Sequence, residues 1–258
     1  MQLVRGLHNV RASHHGCVAT IGNFDGVHLG HQAILTRLRN SAARLNLPSC
    51  VIVFEPQPRE FFNPDTAPVR LTRLRDKLQL FAEAGIDQVL CIAFNKRFRQ
   101  LSAADFVQTV LIDALGIQHL QVGDDFRFGC DRVGDFAFLQ EAGQRLNFSV
   151  EPTATVEIDG QRVSSTRLRS ALAEADFVLA RRLLGRPYAI DGRVMHGKKL
   201  GRTLNAPTAN VQLKRHRAPL HGVYLVSVQL DNGRHLPGVA NIGTRPTVDT
   251  TQQAHLEV

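Results

Sequence analysis

Apolar positions in the first two thirds of the chain form short unbroken runs, separated by stretches where they recur every three or four residues. Cys17-Val18-Ala19-Thr20-Ile21, Cys50-Val51-Ile52-Val53-Phe54, Val89-Leu90-Cys91-Ile92-Ala93-Phe94 and His119-Leu120-Gln121-Val122 read as strands buried on both faces. Helical spacing follows each run. Leu29, Ala33, Leu35 and Leu38 mark a helix to about Leu47. Leu71, Leu74, Leu78 and Phe81 mark a second, to Ala84, closed by Gly85. Ser102 opens a third as N-cap, with Asp105 in the place of a capping-box acid, and it ends at Gly116. Residues 135–146 are a fourth. Strand and helix in alternation specify a parallel sheet with right-handed crossovers, which takes its ligands beyond the carboxyl ends of the strands.

After two short strands, Phe148–Val150 and Thr153–Ile158, Asp159-Gly160 has the chemistry of a type I′ hairpin turn. Val163-Ser164-Ser165-Thr166-Arg167-Leu168-Arg169 then opens a helix read as continuing to Leu184. At Gly185-Arg186-Pro187 the pattern changes to β, with strands at Tyr188–Met195 and Gly222–Val228, a turn at Asp231-Asn232-Gly233 and a return at Leu236–Ala240. This divides the chain into residues 1–186 and 187–258. A length of 258 residues suits such a pair, at about 1.7 average domains.

The net charge of +8 points to anionic partners. With no Trp, two Tyr and no basic low-complexity tail, the interleaved aromatics that stack on bases are missing, so small anionic ligands rank above nucleic acid. Cys17, Cys50, Cys91 and Cys130 are widely spaced without a C-x-x-C, and three lie in or beside apolar runs, as buried thiols in a reducing compartment do. The segment MQLVRGLHNV lacks a signal-peptide core and no run of 18 apolar residues occurs, so a soluble cytoplasmic protein without membrane contact is expected.

The chemistry centres on Gly22-Asn23-Phe24-Asp25-Gly26-Val27-His28-Leu29-Gly30-His31, between the first apolar run and the first helix. The first amides of a helix have no internal partner and the dipole is positive there, so the junction suits an anion. Gly22, Gly26 and Gly30 let a phosphate approach the backbone. His28 and His31, three apart, would share one side of the first turn and face a phosphorus centre gaining charge. No Walker A loop occurs here. Taken alone, the histidine pair also fits a metal site or an exposed helix face. Downstream, Glu55-Pro56-Gln57-Pro58-Arg59-Glu60-Phe61-Phe62 is held extended by its prolines. Phe61 and Phe62 either pack a rigid connection or line a pocket. Arg167 and Arg169 at a helix start oppose the dipole unless an anion sits there.

The stretch GNFDGVHLGHQ resembles the H-x-G-H nucleotidyltransferases, in particular the bacterial bifunctional riboflavin kinase/FAD synthetases. Further segments of the chain are similar to that family in the same order. They are F-x-P-x-P-R-x-F around Pro56 and Pro58, V-G-x-D-F-x-F-G at 122–129, S-S-T-R-x-R at 164–169, P-T-A-N at 207–210 and N-I-G-T-R-P-T at 241–247. The resemblance implies a Rossmann-like α/β domain followed by a small antiparallel riboflavin kinase β-barrel. It implies transfer of AMP from ATP to FMN, giving FAD and pyrophosphate, and phosphorylation of riboflavin by MgATP. His28, His31 and Arg167 would hold the developing charge. Gly22, Asn23, Phe24, Asp25, Gly26, Gly30, Ser164, Ser165, Thr166 and Arg169 would bind ATP, with Gly197, Lys198, Gly201 and Arg202 doing so in the second domain. Pro56, Pro58, Phe62, Asp124, Asp125, Phe126 and Phe128 would contact the flavin. Thr208 and Asn210 would hold Mg²⁺ on ATP, and Glu257 would be the base for the riboflavin hydroxyl. The family's usual histidine between the prolines is Gln57 here, and its Gly-Phe before P-T-A-N is Asn205-Ala206. The family's barrel continues past this glutamate, so the resemblance implies an incomplete barrel, a Glu257 unsupported on one side and weak riboflavin phosphorylation. The rival readings are a nucleotidyltransferase for another phosphate substrate and a basic nucleic-acid-binding module.

Overall fold

The computed structural model describes residues 1–258 except 124, 131, 196–207, 214–216 and 245–253. Its contacts divide into two compact units, Met1–Pro68 with Arg73–Ser164, and Val69–Thr72 with Ser165–Val258.

The first unit runs β1 (Gln2–Arg5), β2 (Val18–Ile21), α1 (Leu29–Leu45), β3 (Ser49–Glu55), α2 (Pro58–Phe62), α3 (Leu74–Glu83) and β4 (Gln88–Ala93). It continues with α4 (Ala103–Phe106) and a π-helical stretch Val107–Ala114, then β5 (His119–Val122), α5 (Phe136–Leu146), β6 (Ser149–Pro152) and the hairpin β7 (Glu157–Ile158) and β8 (Gln161–Arg162). Six strands form one sheet in the order β1-β4-β3-β2-β5-β6. Every pairing in it is parallel. The chain moves outward from β2 to β3 and β4, then resumes at β5 on the other side of β2. Between β2 and β5 lies the topological switch point where such sheets bind ligands.

Alternation along the strands feeds two cores. Ala19, Ile21, Cys50, Ile52 and Phe54 pack with Val110, Leu111 and Leu139 of the α4–π stretch and α5. Val18, Val51, Val53 and Val89 pack with Leu35 and Leu38 of α1 and Phe81 of α3. The expected buried thiols are found, since Cys17, Cys50 and Cys91 are free and buried, whereas Cys130 is exposed.

Local differences from the sequence reading have physical causes. β1 was hidden in a polar entry segment, because an edge strand needs only Leu3 and Val4 among polar neighbours. The proline loop is not extended throughout. Pro58 takes the first position of α2, where its missing N–H costs nothing, and the Gln57 N–H donates to Glu60 Oε2 at 2.9 Å. α3 starts at Leu74 rather than Leu71, and Leu71 groups with the second unit.

In the second unit, the helix expected from Val163 to Leu184 is two, α6 (Ser165–Ala173) and α7 (Phe177–Leu184). Ala175 takes a positive φ of 55°, and Asp176 caps α7 by accepting from the Leu179 N–H. Then come β9 (Arg193–Met195), β10 (Asn210–Gln212), β11 (Gly222–Gln229), β12 (His235–Thr244) and β13 (Ala254–Glu257). These five form an antiparallel sheet in the order β11-β12-β13-β10-β9. The expectation was an incomplete β-barrel, and among the described residues no pairing joins β11 to β9 to close one.

Candidate active site

The Gly22–His31 segment leaves β2 at the switch point and enters α1. Phe24, Gly26 and Val27 have positive φ values of 47°, 87° and 42°. Such a conformation is strained for a β-branched residue and persists only where the surroundings fix it. They do so here. Gly22 N–H donates to Ile52 O, the Val27 N–H to Phe24 O, and Gln32 Nε2 to Val27 O at 2.9 Å. Lys77 of α3, with no exposed surface, donates from Nζ to Asn23 O at 3.0 Å. Phe24 packs edge-on against Phe81, with ring centroids 5.4 Å apart.

His28 is the N-cap of α1, and its Nδ1 accepts the His31 N–H at 3.3 Å. Because Nδ1 accepts, the neutral ring carries its proton on Nε2. The two imidazoles are stacked, 3.7 Å between centroids and 15° between planes. Gly30 permits this packing, since a Cβ there would lie 3.2 Å from the His28 ring and 3.3 Å from Val163 O. His28 is 5% exposed. Nδ1 of His31 is buried without a hydrogen-bond partner. Burial holds the His31 pKa well below the ordinary 6.5, and the charges of His28, Lys77 and Arg162 push it the same way. The first turn of α1 contains no acidic residue. A neutral His31 imidazole and the N-terminal end of α1 therefore lie at a position suited to a phosphate.

Two other segments reach the same carboxyl edge of the sheet. Phe62 of α2 is 52% exposed. It touches Phe61 and Phe94, and the Arg99 guanidinium lies 5.6 Å from its ring centre. Ring contacts continue from Phe94 through Phe98 and Phe106 to Phe128, which stacks on Phe126 at 5.4 Å and 18°. The structure thus joins Phe62 to Phe126 and Phe128 by a run of aromatics. Sequence reasoning missed Phe94, Phe98 and Phe106 as links, although Phe94 directly follows an apolar strand. Asp125 is exposed and pairs with Arg162 at 3.3 Å. Pro56 is exposed and Pro58 half-buried, and Asp124 lies outside the described residues. Lys77 was also missed. Within a helix stripe of Leu74, Leu78 and Phe81 it reads as a polar position, and only three-dimensional packing shows it buried.

In the second unit, Ser165 begins α6, with Thr166 exposed and Arg167 and Arg169 half-buried in its first turns. Arg169 Nε donates to Val69 O at 2.6 Å, so part of its guanidinium holds the chain itself. Glu257 of β13 is register partner both to Asn210 of β10 and to Asn241 of β12. Directly opposed residues in antiparallel strands project to one face, so Asn241, Glu257 and Asn210 form a row of oxygen-bearing side chains. Pairing of Ala209 with Val258 extends the ladder toward the exposed Thr208. The expectation that Glu257 lacks support on one side is corrected, because β13 is hydrogen-bonded on both. Gly197, Lys198, Gly201 and Arg202 lie outside the described residues, as do Asn205, Ala206, Pro207, Arg245, Pro246 and Thr247. Among the described residues no cluster of three or more His, Cys, Asp or Glu could hold a metal, and no helix is long and apolar enough to cross a membrane.

Comparison with known proteins gives matches in both parts of the chain. A family model described as FAD synthetase matches residues 10–167, and one described as riboflavin kinase matches residues 184–258. The bifunctional riboflavin kinase/FMN adenylyltransferase of Pseudomonas fluorescens is 67% identical over 258 residues, covering 100% of this chain and 82% of that protein. The protein of the same name from Escherichia coli (strain K12) is 53% identical over 259 residues, with the same two coverages of 100% and 82%. A crystal structure described as a macrolide-efflux protein from Streptococcus pneumoniae is similar at a TM-score of 0.82 and 28% identity, covering 99% of this chain and 83% of that one.

Proposed function

The chain belongs to the bifunctional riboflavin kinase/FMN adenylyltransferase family, and from that membership we infer which residues carry each of its two reactions. It phosphorylates riboflavin to FMN and adenylylates FMN to FAD. The observation that carries the residue assignment is the stacked His28–His31 pair at the N-terminus of α1, at the switch point of the parallel sheet.

In adenylyl transfer, a phosphate oxygen of FMN attacks the α-phosphorus of ATP. One P–O bond forms and the bond to pyrophosphate breaks. The phosphate is already a nucleophile, so the protein needs no covalent intermediate and works by position and electrostatics. His28, through its Nε2 proton, and His31 hold the α-phosphate as charge develops. The turn Gly22–Gly26 and the first amides of α1 receive the other ATP phosphate oxygens. Ser164, Ser165, Thr166 and Arg167 are assigned to the triphosphate on the strength of the S-S-T-R match. The aromatic run between Phe62 and Phe126 supports binding of a planar isoalloxazine, with Asp125 at its rim.

In riboflavin phosphorylation, Glu257 takes the proton of the ribityl hydroxyl as that oxygen attacks the γ-phosphorus, and the bond from that phosphorus to the leaving ADP breaks. Thr208 and Asn210 would hold a divalent cation, assigned as Mg²⁺, which offsets phosphate charge when bound. Their neutral oxygens fit an ion that keeps phosphate and water as its main ligands. The domain division is proposed near residue 186, close to the start of the riboflavin kinase match at residue 184. The buried free thiols accord with a reducing, cytoplasmic compartment. The test is incubation with riboflavin, ATP and Mg²⁺ and chromatographic separation of FMN and FAD. Appearance of neither product overturns the reading.

A further inference from the structure

The strongest feature the two reactions leave unused is Lys77. A lysine without exposed surface is rare and needs strong compensation, yet this one sits in the core beside the ATP-binding turn. We propose that α3 is a positioning clamp for adenylyl transfer, in which Lys77 and Phe81 fix the Asn23–Val27 turn and, through Phe24, the ring of His31.

Lys77 and Phe81 are four apart and so lie one turn above the other on the same face of α3. Both have no exposed surface. One takes the Asn23 carbonyl at 3.0 Å and the other takes the edge of Phe24 at 5.4 Å. Phe24 in turn lies 5.0 Å from the His31 ring, tilted by 48°. The two grips fall on consecutive residues at the entry of the strained turn, where Phe24 and Val27 have positive φ. A contact made only for packing would need no ammonium here. The charge has a second consequence, because Lys77, with His28 and Arg162, disfavours protonation of His31. Asp25 is the acidic group buried in the same turn. Lys77 thus contributes to the neutral state of the imidazole as well as to its place. It touches the turn rather than substrate, so it is a positioning residue.

The inference rests on the adenylyl-transfer role of His31, and the test keeps the two apart. Loss of FAD formation in His31→Ala examines that role; Lys77 variants examine the clamp. In the full chain, Lys77→Met is expected to lower kcat for FMN adenylylation on the order of 10²-fold, as loss of orientation does, with a smaller change in KM for ATP. Riboflavin phosphorylation by the same preparation should be unchanged. The ratio of the two activities should also fall off at higher pH on the acid side than in the parent, because one charge opposing His31 protonation is gone. Lys77→Arg keeps the charge and should keep that acid limb. Normal kcat and an unmoved limb in Lys77→Met overturn the proposal. If both activities of Lys77→Met are lost, the variant has failed to fold and Phe81→Leu decides. With the ammonium in place, it should lower adenylylation about 10-fold without moving the acid limb, and normal kcat in it overturns the clamp.

Discussion

The residues proposed for phosphate chemistry in the two units differ in kind. In the first, the groups assigned to catalysis are buried and prearranged. His28 is 5% exposed, stacked on His31 and fixed as a helix cap, beside a lysine with no exposed surface. In the second, Asn210 and Glu257 sit half-buried on a regular ladder, and Thr208 is exposed. The first therefore supplies donors and helix amides of its own, held by a strained turn. The residues assigned to kinase chemistry in the second offer a carboxylate and neutral oxygens, and would need a cation to meet the charge of ATP. Phosphate transfer does not demand one kind of site. A preorganised pocket shifts the cost into folding a strained, titratable turn, whereas an open row of oxygens shifts it into binding a metal complex.

The largest expected effect breaks the comparison at its first member. His28→Ala with His31→Ala should reduce FAD formation from FMN by on the order of 10³-fold or more, beyond the loss typical of one transition-state donor. Riboflavin phosphorylation should persist. Residues 1–186 alone should retain adenylylation if the proposed division is right. A double variant that still makes FAD at the parental rate would remove the histidines from the chemistry.

Smaller effects sharpen the contrast. Arg167→Ala should lower kcat/KM for ATP in adenylylation by ~10², the worth of one charge-assisted contact, and leave FMN binding nearly unchanged. Selective loss of FMN binding would reassign it. In the second unit, Thr208→Ala and Asn210→Ala should each raise the Mg²⁺ concentration needed for half-maximal riboflavin phosphorylation, by about 10-fold, the scale of losing one support of a metal site. FAD formation from FMN should not respond. Equal metal dependence of variant and parent would argue that these oxygens do not face the cation.

What the sequence made legible follows the same division. Strands buried on both faces leave unbroken apolar runs, so β2, β3, β4 and β5 were readable almost to the residue. The His28–His31 turn was readable because Gly22, Gly26 and Gly30 punctuate it. Val27 at φ 42° was not, since nothing in a valine announces a left-handed backbone. Nor was Lys77, whose role exists only because α3 packs over the turn. In the second unit, strands with one exposed face alternate weakly. β9 covers only Arg193–Met195 of the run expected from Tyr188. The partnership of Asn210 with Glu257 joins residues far apart in the chain, and register is not visible in either segment alone.

The smallest expected effect concerns the stability of the first unit as pH falls. In the first unit, burial lowers the pKa of His31 and of His119, the latter against a smaller opposing pull from Glu151. Both imidazoles are neutral when folded at neutral pH, and in the unfolded chain they titrate near the ordinary 6.5. Below that value the unfolded state binds more protons than the folded one, so stability rises with pH and falls as pH drops. The loss begins at 6.5 and continues until the folded pKa values are passed. Thermal melts between about pH 7.5 and about pH 5 should therefore show unfolding of the first unit moving to lower temperature. His119→Gln should flatten part of that dependence while leaving the histidine pair intact. A melting profile as steep in the variant as in the parent would assign the pH response to other groups.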